Sequence, residues 1–316
     1  MNSMNLFFLV IPCLVLMCGV QKKQDPLNAI REPRAVLTKL NTEIEYGFTE
    51  GPANDSKGNL YFVDTRNSLI IKHNMAEKTF ETWATDTKVA NGSMFYKDGP
   101  LVSCRAEGRD VVVWKEDGTV DRVLASEYRG TQLNAPNDLV IAKNGWIYFT
   151  DPNFQKQGVM PVSVYSLSPE GELTRICEDI KVPNGIILTP DERTLIINGT
   201  FQPEIIAYDV HEDGSVSNRR VYCRVEEPDR EKFARRAPDW YGCDGMAMDT
   251  AGNLYVTTGA GVQVFDSEGQ LIGIIPVPEK PCNAAFGGPE NKTLYITAQH
   301  SLYSIPCKIP GVIFQQ

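Results

Sequence analysis

The sequence predicts an all-β protein, a six-bladed β-propeller with four-stranded blades around a central channel. Three observations carry that prediction. A motif recurs six times, at Glu50-Gly51, Asn91-Gly92, Asn137-Asp138, Asn184-Gly185, Asp244-Gly245 and Asn283-Ala284, at intervals of 41, 46, 47, 60 and 39 residues. A period of about 40 to 50 residues suits one four-stranded unit. Each motif is followed by a second, β-rich run: NLYFVD at 59–64, PLVSC at 100–104, WIYFTD at 146–151, TLIING at 194–199, NLYVTT at 253–258 and TLYITA at 293–298. No long stretch carries a 3.6-residue apolar period, which argues against helices.

The elements follow in order. The first strand of each blade starts at its motif and leads through a polar turn into the second. Gly58, Gly99, Gly145 and Gly252 lie eight residues after their motifs, and Tyr61, Tyr148 and Tyr255 lie eleven after theirs. Third strands are expected at 68–73, 111–115, 163–168, 205–210, 262–266 and 302–305, and turns such as Asp117-Gly118, Asp213-Gly214 and Glu268-Gly269 lead into fourth strands. One blade is expected to be closed by an N-terminal strand within 34–40, pairing near 302–306. Six blades around an axis solve the edge-strand problem by radial repetition.

Composition bounds the partners. The chain has 316 residues, a formal net charge of −9, 42% hydrophobic and 22% charged residues. These values exclude disorder and collagen, and the body of the chain holds no run long enough to span a bilayer. An acidic chain without a basic stripe gains nothing from counterion release, so nucleic acid is excluded as a partner. Residues 6–20 are an apolar run that ends abruptly at Gln21 and Lys22, which reads as an export segment over 1–20, with Cys18-Gly19 as a lax lipid-anchor site. Residues 21–33 read as a linker and 34–316 as the propeller. The expected location is therefore periplasmic, extracellular or membrane-anchored. The remaining cysteines, Cys104, Cys177, Cys223, Cys243, Cys282 and Cys307, never fall within four residues of one another, which excludes a zinc ribbon. They read as buried small side chains, although an oxidising compartment would allow a bridge or two.

The repeat also locates the chemistry. First strands of a propeller begin on one face, so Glu50, Asn91, Asn137, Asn184, Asp244 and Asn283 should ring one mouth of the channel. All six end in a carboxylate or an amide. Two carboxylates among neutral amides, without His or Cys, describe a hard-cation site, Ca²⁺ first and Mg²⁺ or Mn²⁺ next. The competing reading is that these are turn dipeptides.

Several stretches carry a family resemblance: FTEGP at 48–52, ANG at 90–92, APNDLV at 135–140, YFTDP at 148–152, VPNGIILTPDERTL at 182–195, DGMAMDTAGNLYVT at 244–257 and PCNAAFGG…KTLYIT at 281–297. The ordered set resembles the SMP-30/gluconolactonase/luciferin-regenerating family of six-bladed propellers, from about Gly47 to Pro310. The resemblance implies a hydrolase of small sugar lactones, with organophosphate cleavage in relatives, and a divalent cation held by Glu50, Asn137, Asn184 and Asp244. On that reading Asp244 is the catalytic group that activates water, with direct nucleophilic attack as its rival. Asn91, Arg105, Asp151, Asn283 and His300 are expected to bind substrate hydroxyls, with Asn153 and Thr200 on the same rim. The other reading of the fold is an exported, non-catalytic propeller stiffened by calcium.

Two departures from the family pattern stand out. Close relatives read Cys-Glu-His-Gly where this chain has Cys104-Arg105-Ala106-Glu107-Gly108, so that histidine is missing; His300, in the matching loop of the last blade, could supply an imidazole. The long fourth interval contains VEEPDREKFARRAPDWY at 225–241, which should lie on the ring face as a partial lid, with a short helix at 231–236 and Phe233, Arg235, Trp240 and Tyr241 as contacts. His73 and His211 have no assigned role; Asp138, and as the alternative Asp151, are expected to fix turns through side-chain hydrogen bonds to backbone N–H groups.

Overall fold

Each sequence repeat becomes one antiparallel sheet, because its second and third runs are apolar on both sides while its fourth is not. A computed structural model of the chain describes residues 25–314, apart from 33, 97, 98, 155 and 157. Blade one comprises Thr49–Asn54, Leu60–Asp64, Leu69–Asn74 and Thr79–Ala84; blade two Ala90–Phe95, Leu101–Arg105, Asp110–Trp114 and Val120–Ala125. Blade three comprises Leu139–Ile141, Ile147–Asp151, Ser163–Leu167 and Leu173–Cys177; blade four Pro183–Leu188, Thr194–Gly199, Glu204–Val210 and Val216–Arg224. Blade five comprises Met246–Met248, Leu254–Thr258, Gly261–Phe265 and Leu271–Ile275. Blade six takes Pro281–Gly287, Thr293–Ala298 and Ser301–Pro306 from the end of the chain, and Thr38–Lys39 from its start.

That last pairing is the expected closure, with Thr38 opposite Ser304 and Lys39 opposite Tyr303. Asn41 secures it: its amide donates to the Ile44 and His300 carbonyls and accepts from the Leu302 N–H. The innermost strands touch in sequence around the axis, and Thr49–Asn54 packs against both Ala90–Phe95 and Pro281–Gly287, so the ring is complete.

Second strands such as Leu60–Asp64 and Leu254–Thr258 are buried along their whole length, whereas the fourth strand Val120–Ala125 is largely exposed. The core is consequently a series of layers between blades. Ile186, Ile196, Ile206 and Val256 belong to one layer, Tyr255, Leu294, Ile296 and Tyr303 to the next, and Tyr46, Phe62, Tyr295 and Leu302 to the layer that joins blades one and six. Layered cores let one domain exceed the size at which a single core stops growing.

Three expectations need correcting or placing. Residues 25–32 of the segment read as a linker are packed: Leu27 and Ile30 are buried in the layer between blades five and six, and Arg31 bridges Cys307. Residues 231–236 form turns rather than a helix: Asp229 accepts from the N–H groups of Glu231 and Lys232 as an N-cap would, but Phe233 N–H closes one turn on the Asp229 carbonyl and Arg236 N–H already bonds the Phe233 carbonyl three residues back. The apolar run at 6–20 and Cys18 lie outside the described residues. No helix among the described residues is long and apolar enough to cross a membrane. All six body cysteines are free and buried, as the small-side-chain reading expects.

Candidate active site

The motif dipeptides sit where neighbouring first strands cross at the axis, and this explains their second residue. A side chain at Gly51 would come within 2.0 Å of the Asn91 carbonyl oxygen, and one at Gly185 within 2.3 Å of the Asp244 carbonyl oxygen. These glycines are demanded by close approach of the next blade, not by hairpin turns. Gly51 also has a φ of +47°, which a larger residue adopts only under strain. Register shifts fall at the same places, between Glu50 and Ala53, Ala90 and Ser93, and Pro183 and Ile186. Such bulges re-aim side chains out of the sheet. Hydrogen bonds then stitch each motif to the next blade: Thr150 Oγ1 donates to the Asn184 carbonyl at 2.7 Å, Asn198 Nδ2 to that of Asp244 at 2.5 Å, and Thr257 Oγ1 to that of Cys282 at 2.9 Å.

At this mouth the two carboxylates meet. One ligand atom from each of Glu50, Asp244 and Cys282 lies within 4.8 Å of the others. Lys280 joins them, its Nζ donating to Asp244 Oδ2, with the Lys280 and Asp244 side chains only 12% and 13% exposed. Burial raises the Glu50 carboxyl well above the usual range, and the neighbouring Asp244 charge raises it further. Burial also raises Asp244, but the Lys280 charge opposes that. Burial works against the Lys280 ammonium, yet the charges of Asp244 and Glu50 and the hydrogen bond to Asp244 outweigh it and hold the lysine above its ordinary value. Burial pushes the Cys282 thiol upward, so it stays protonated and is no ligand for a hard cation.

Amide oxygens complete the set. Thr200 Oγ1 donates to the Cys243 carbonyl at 3.1 Å and therefore accepts from Asn184 Nδ2 at 3.0 Å, an orientation that leaves Asn184 Oδ1 uncommitted. The Asn184 amide also donates to Asp244. Asn137 is buried and Asn91 half-buried, and neither side-chain amide has a hydrogen bond to another described residue. The donors Glu50, Asp244, Asn137 and Asn184 are hard oxygens with two formal charges, which fits a divalent cation of the Ca²⁺ or Mg²⁺ type.

The remaining sequence-derived residues divide. Asn283 is inside the channel but is turned to Asp138: its amide donates to that carboxyl, and its Oδ1 accepts from the Ala284 N–H. Asp138 occupies the position that is glycine in four other blades, so its side chain fills the axis. There it accepts from the N–H groups of Leu139 and Ile186 as well, tying blades three, four and six; burial, opposed by those bonds, pushes it up to about 7. Arg105 does not reach for hydroxyls, because its guanidinium grips Asp110 bidentately at 2.8 and 2.6 Å. Asp151 is fully buried and both its oxygens accept backbone N–H groups, from Asn134 at 2.8 Å and Ala135 at 2.5 Å, so it shapes the loop before Asn137 instead of meeting substrate. His300 faces inward to the Tyr46 carbonyl through Nδ1 at 2.8 Å. Asn153 holds its own loop through Gly158.

The 225–241 segment folds onto blades four and five and ends immediately before Asp244. Phe233 packs on Trp240 with ring centroids 4.9 Å apart, Arg230 donates to the Trp240 carbonyl, and the N–H groups of Tyr241 and Gly242 donate to the Thr200 carbonyl. Sequence reasoning missed Lys280 and Cys282. They lie only three and one residues before the Asn283 motif, but a lysine between Glu279 and Pro281 reads as a solvated turn.

A cavity of about 910 Å³ lies at the opposite mouth. Asp138 and Asn283 form its floor, and Met94, Met246, Met248, Phe286 and Phe314 line it. Among the described residues, the cluster of three titratable metal-type ligands is at the first mouth and not here, and volume alone does not identify the chemistry.

Comparison with known proteins agrees with this geometry. Residues 48–300 match the family model described as the SMP-30/gluconolactonase/LRE-like region. A gluconolactonase of Zymomonas mobilis is 30% identical, over 92% of this chain and 87% of its own length. The structure of a gluconolactonase from Xanthomonas campestris is also 30% identical, with a TM-score of 0.78 over 89% of this chain and 92% of its own. A regucalcin from Agrobacterium tumefaciens, described as a calcium-binding protein, shares the fold at 19% identity, with a TM-score of 0.72 over 88% of this chain and 95% of its own. The chain belongs to the SMP-30/gluconolactonase/LRE-like family.

Proposed function

We propose that the protein opens a sugar-type lactone to its hydroxy acid at the Glu50–Asp244 mouth, with a hard divalent cation, Ca²⁺ before Mg²⁺ or Mn²⁺, held by Glu50, Asn137, Asn184 and Asp244. The observation that carries this reading is the meeting of two buried carboxylates with uncommitted amide oxygens at one end of the channel. The kinship with gluconolactonases supports the substrate class. When bound, such a cation supplies polarisation of the lactone carbonyl and a counter-charge for the tetrahedral oxyanion.

The chain's own residues do the rest. Asp244 takes a proton from the attacking water as the water oxygen bonds to the carbonyl carbon. The ring C–O bond then breaks, and the proton passes to the departing ring oxygen, leaving a carboxylic acid and a free hydroxyl. Asn91 and Asn137 offer amides to the ring hydroxyls. Tyr241 and Trp240, folded beside Asp244, limit the access of bulk water. A polyol-binding rim of this kind favours sugar lactones over simple alkyl lactones.

The test is a lactone panel assayed by acid release with chelator-treated protein, then after restoring Ca²⁺, Mg²⁺ or Mn²⁺. Turnover of aldonolactones that disappears with chelation and returns with the metal is the expected result. Absence of lactone or phosphoester hydrolysis with every metal would leave a binding propeller instead. Export on the apolar run at 6–20 is part of the same proposal; full-length, unprocessed protein recovered only from the cytosol would refute it.

A further inference from the structure

Asp244 already carries a cation of the protein's own. Lys280 immediately precedes the first strand of blade six, Pro281–Gly287, and its ammonium meets Asp244 Oδ2. Both side chains are almost fully enclosed, and Glu50 is the next charge in the cluster. Among the described residues no other basic group pairs with either carboxylate. Two ionised carboxylates this close and this buried are unstable without a counter-charge, because each loses hydration and each repels the other. A divalent ion would supply that charge; the lysine supplies part of it without one.

The two cations cannot use the site in the same way. A Ca²⁺ ion gathers six to eight oxygens, amides included, whereas an ammonium directs three N–H groups and here engages Asp244. An ammonium bonded to Asp244 Oδ2 and a divalent ion on the same carboxylate repel each other, so the ion binds well only as Lys280 withdraws. We infer that Lys280 is a resident counter-cation: it keeps the carboxylate pair stable when no divalent ion is bound, and it must yield Asp244 to the divalent ion, which sets the metal affinity of the site low. This inference rests on the reading of Glu50, Asn137, Asn184 and Asp244 as a cation site.

The experiment is calorimetric titration of chelator-treated protein with CaCl₂ at fixed pH and ionic strength, for wild type, Lys280→Met and Lys280→Arg. Removing the positive charge should lower the calcium dissociation constant about tenfold or more. Lys280→Arg should keep the weak wild-type affinity. Melting curves supply a second readout: without calcium Lys280→Met should melt below wild type, and saturating calcium should close the gap. A Lys280→Met protein that folds only with calcium supports the inference, and its affinity is then read by competition with a chelating dye. Wild-type binding with Lys280→Met binding no tighter overturns the inference alone. No binding of Ca²⁺, Mg²⁺ or Mn²⁺ by any of the three proteins at millimolar concentration overturns the cation site, and the inference with it.

Discussion

The two mouths of the channel are made by the same six strands, yet one is charged and the other greasy. At the mouth where the strands begin, bulges and close-approach glycines lie beside Glu50, Asn184 and Asp244, and Lys280 enters beside Asp244. At the mouth where they end, Met94, Met248 and Phe286 line a hollow, and the C-terminal segment packs at it: Val312 N–H donates to the Met248 carbonyl at 2.9 Å, and Phe314 is buried. Asp138 and Asn283 separate the two. The first end concentrates buried charge at the expense of stability, and the second supplies apolar burial that offsets it. Buried charge and apolar burial are thus segregated along one axis.

This division can be tested from both ends. The largest effect belongs to the charged mouth: Asp244→Asn should lower kcat for a lactone substrate about a thousandfold while circular dichroism stays native, since shape is kept and the proton acceptor is lost. Near-wild-type turnover would break the assignment. At the other mouth, Phe314→Ala should cost about 3 kcal/mol by denaturant titration, in line with emptying an aromatic site in a core, and leave kcat/KM unchanged. A large loss of activity in the folded variant would show that the ends are coupled.

Glu50→Gln sharpens the contrast further, because it removes one of two mutually repelling buried charges. The metal-free variant should melt at or above the wild-type temperature, and its calcium dissociation constant should rise about tenfold. Both changes are read in one thermal-shift titration. A drop in metal-free stability would mean that Glu50 is held by contacts other than its charge.

The smallest effect is expected at Asp151, which supports the loop before Asn137. Burial, against the two N–H bonds it accepts, pushes its carboxyl up to about 6. The unfolded chain loses that proton at about 3.9, so between the two values the folded state binds more protons, and the residue's contribution to stability falls as pH rises. Asp151→Asn places a donor opposite one of those N–H groups, which should cost roughly 1 to 3 kcal/mol. The deficit against wild type should be largest near pH 4 and narrow toward pH 6 in parallel urea titrations. A deficit that does not change with pH would place the titration elsewhere.

Blade number, blade order and the N-terminal closure at Thr38–Lys39 were legible in the sequence, because a repeat imposes one pattern six times and each copy corroborates the others. The meeting of Glu50 and Asp244 was legible for the same reason: equal phase in a radial repeat means equal height on the axis. The structural alternative for Asp151, bonding backbone N–H groups, was legible too. The roles of Arg105 and Asn283 were not. Each is decided by a partner that no local pattern announces: Asp110 across a tight turn, and Asp138 from the far side of the channel. Lys280 is the sharpest case. Its sequence neighbours Glu279 and Pro281 describe a solvated turn, and only the closing of the ring, which brings blade five's Asp244 against the approach to blade six, buries its ammonium on a carboxylate. Periodicity is a property of the chain and survives in one dimension, whereas charge pairing depends on distances between blades that exist only once the ring has closed.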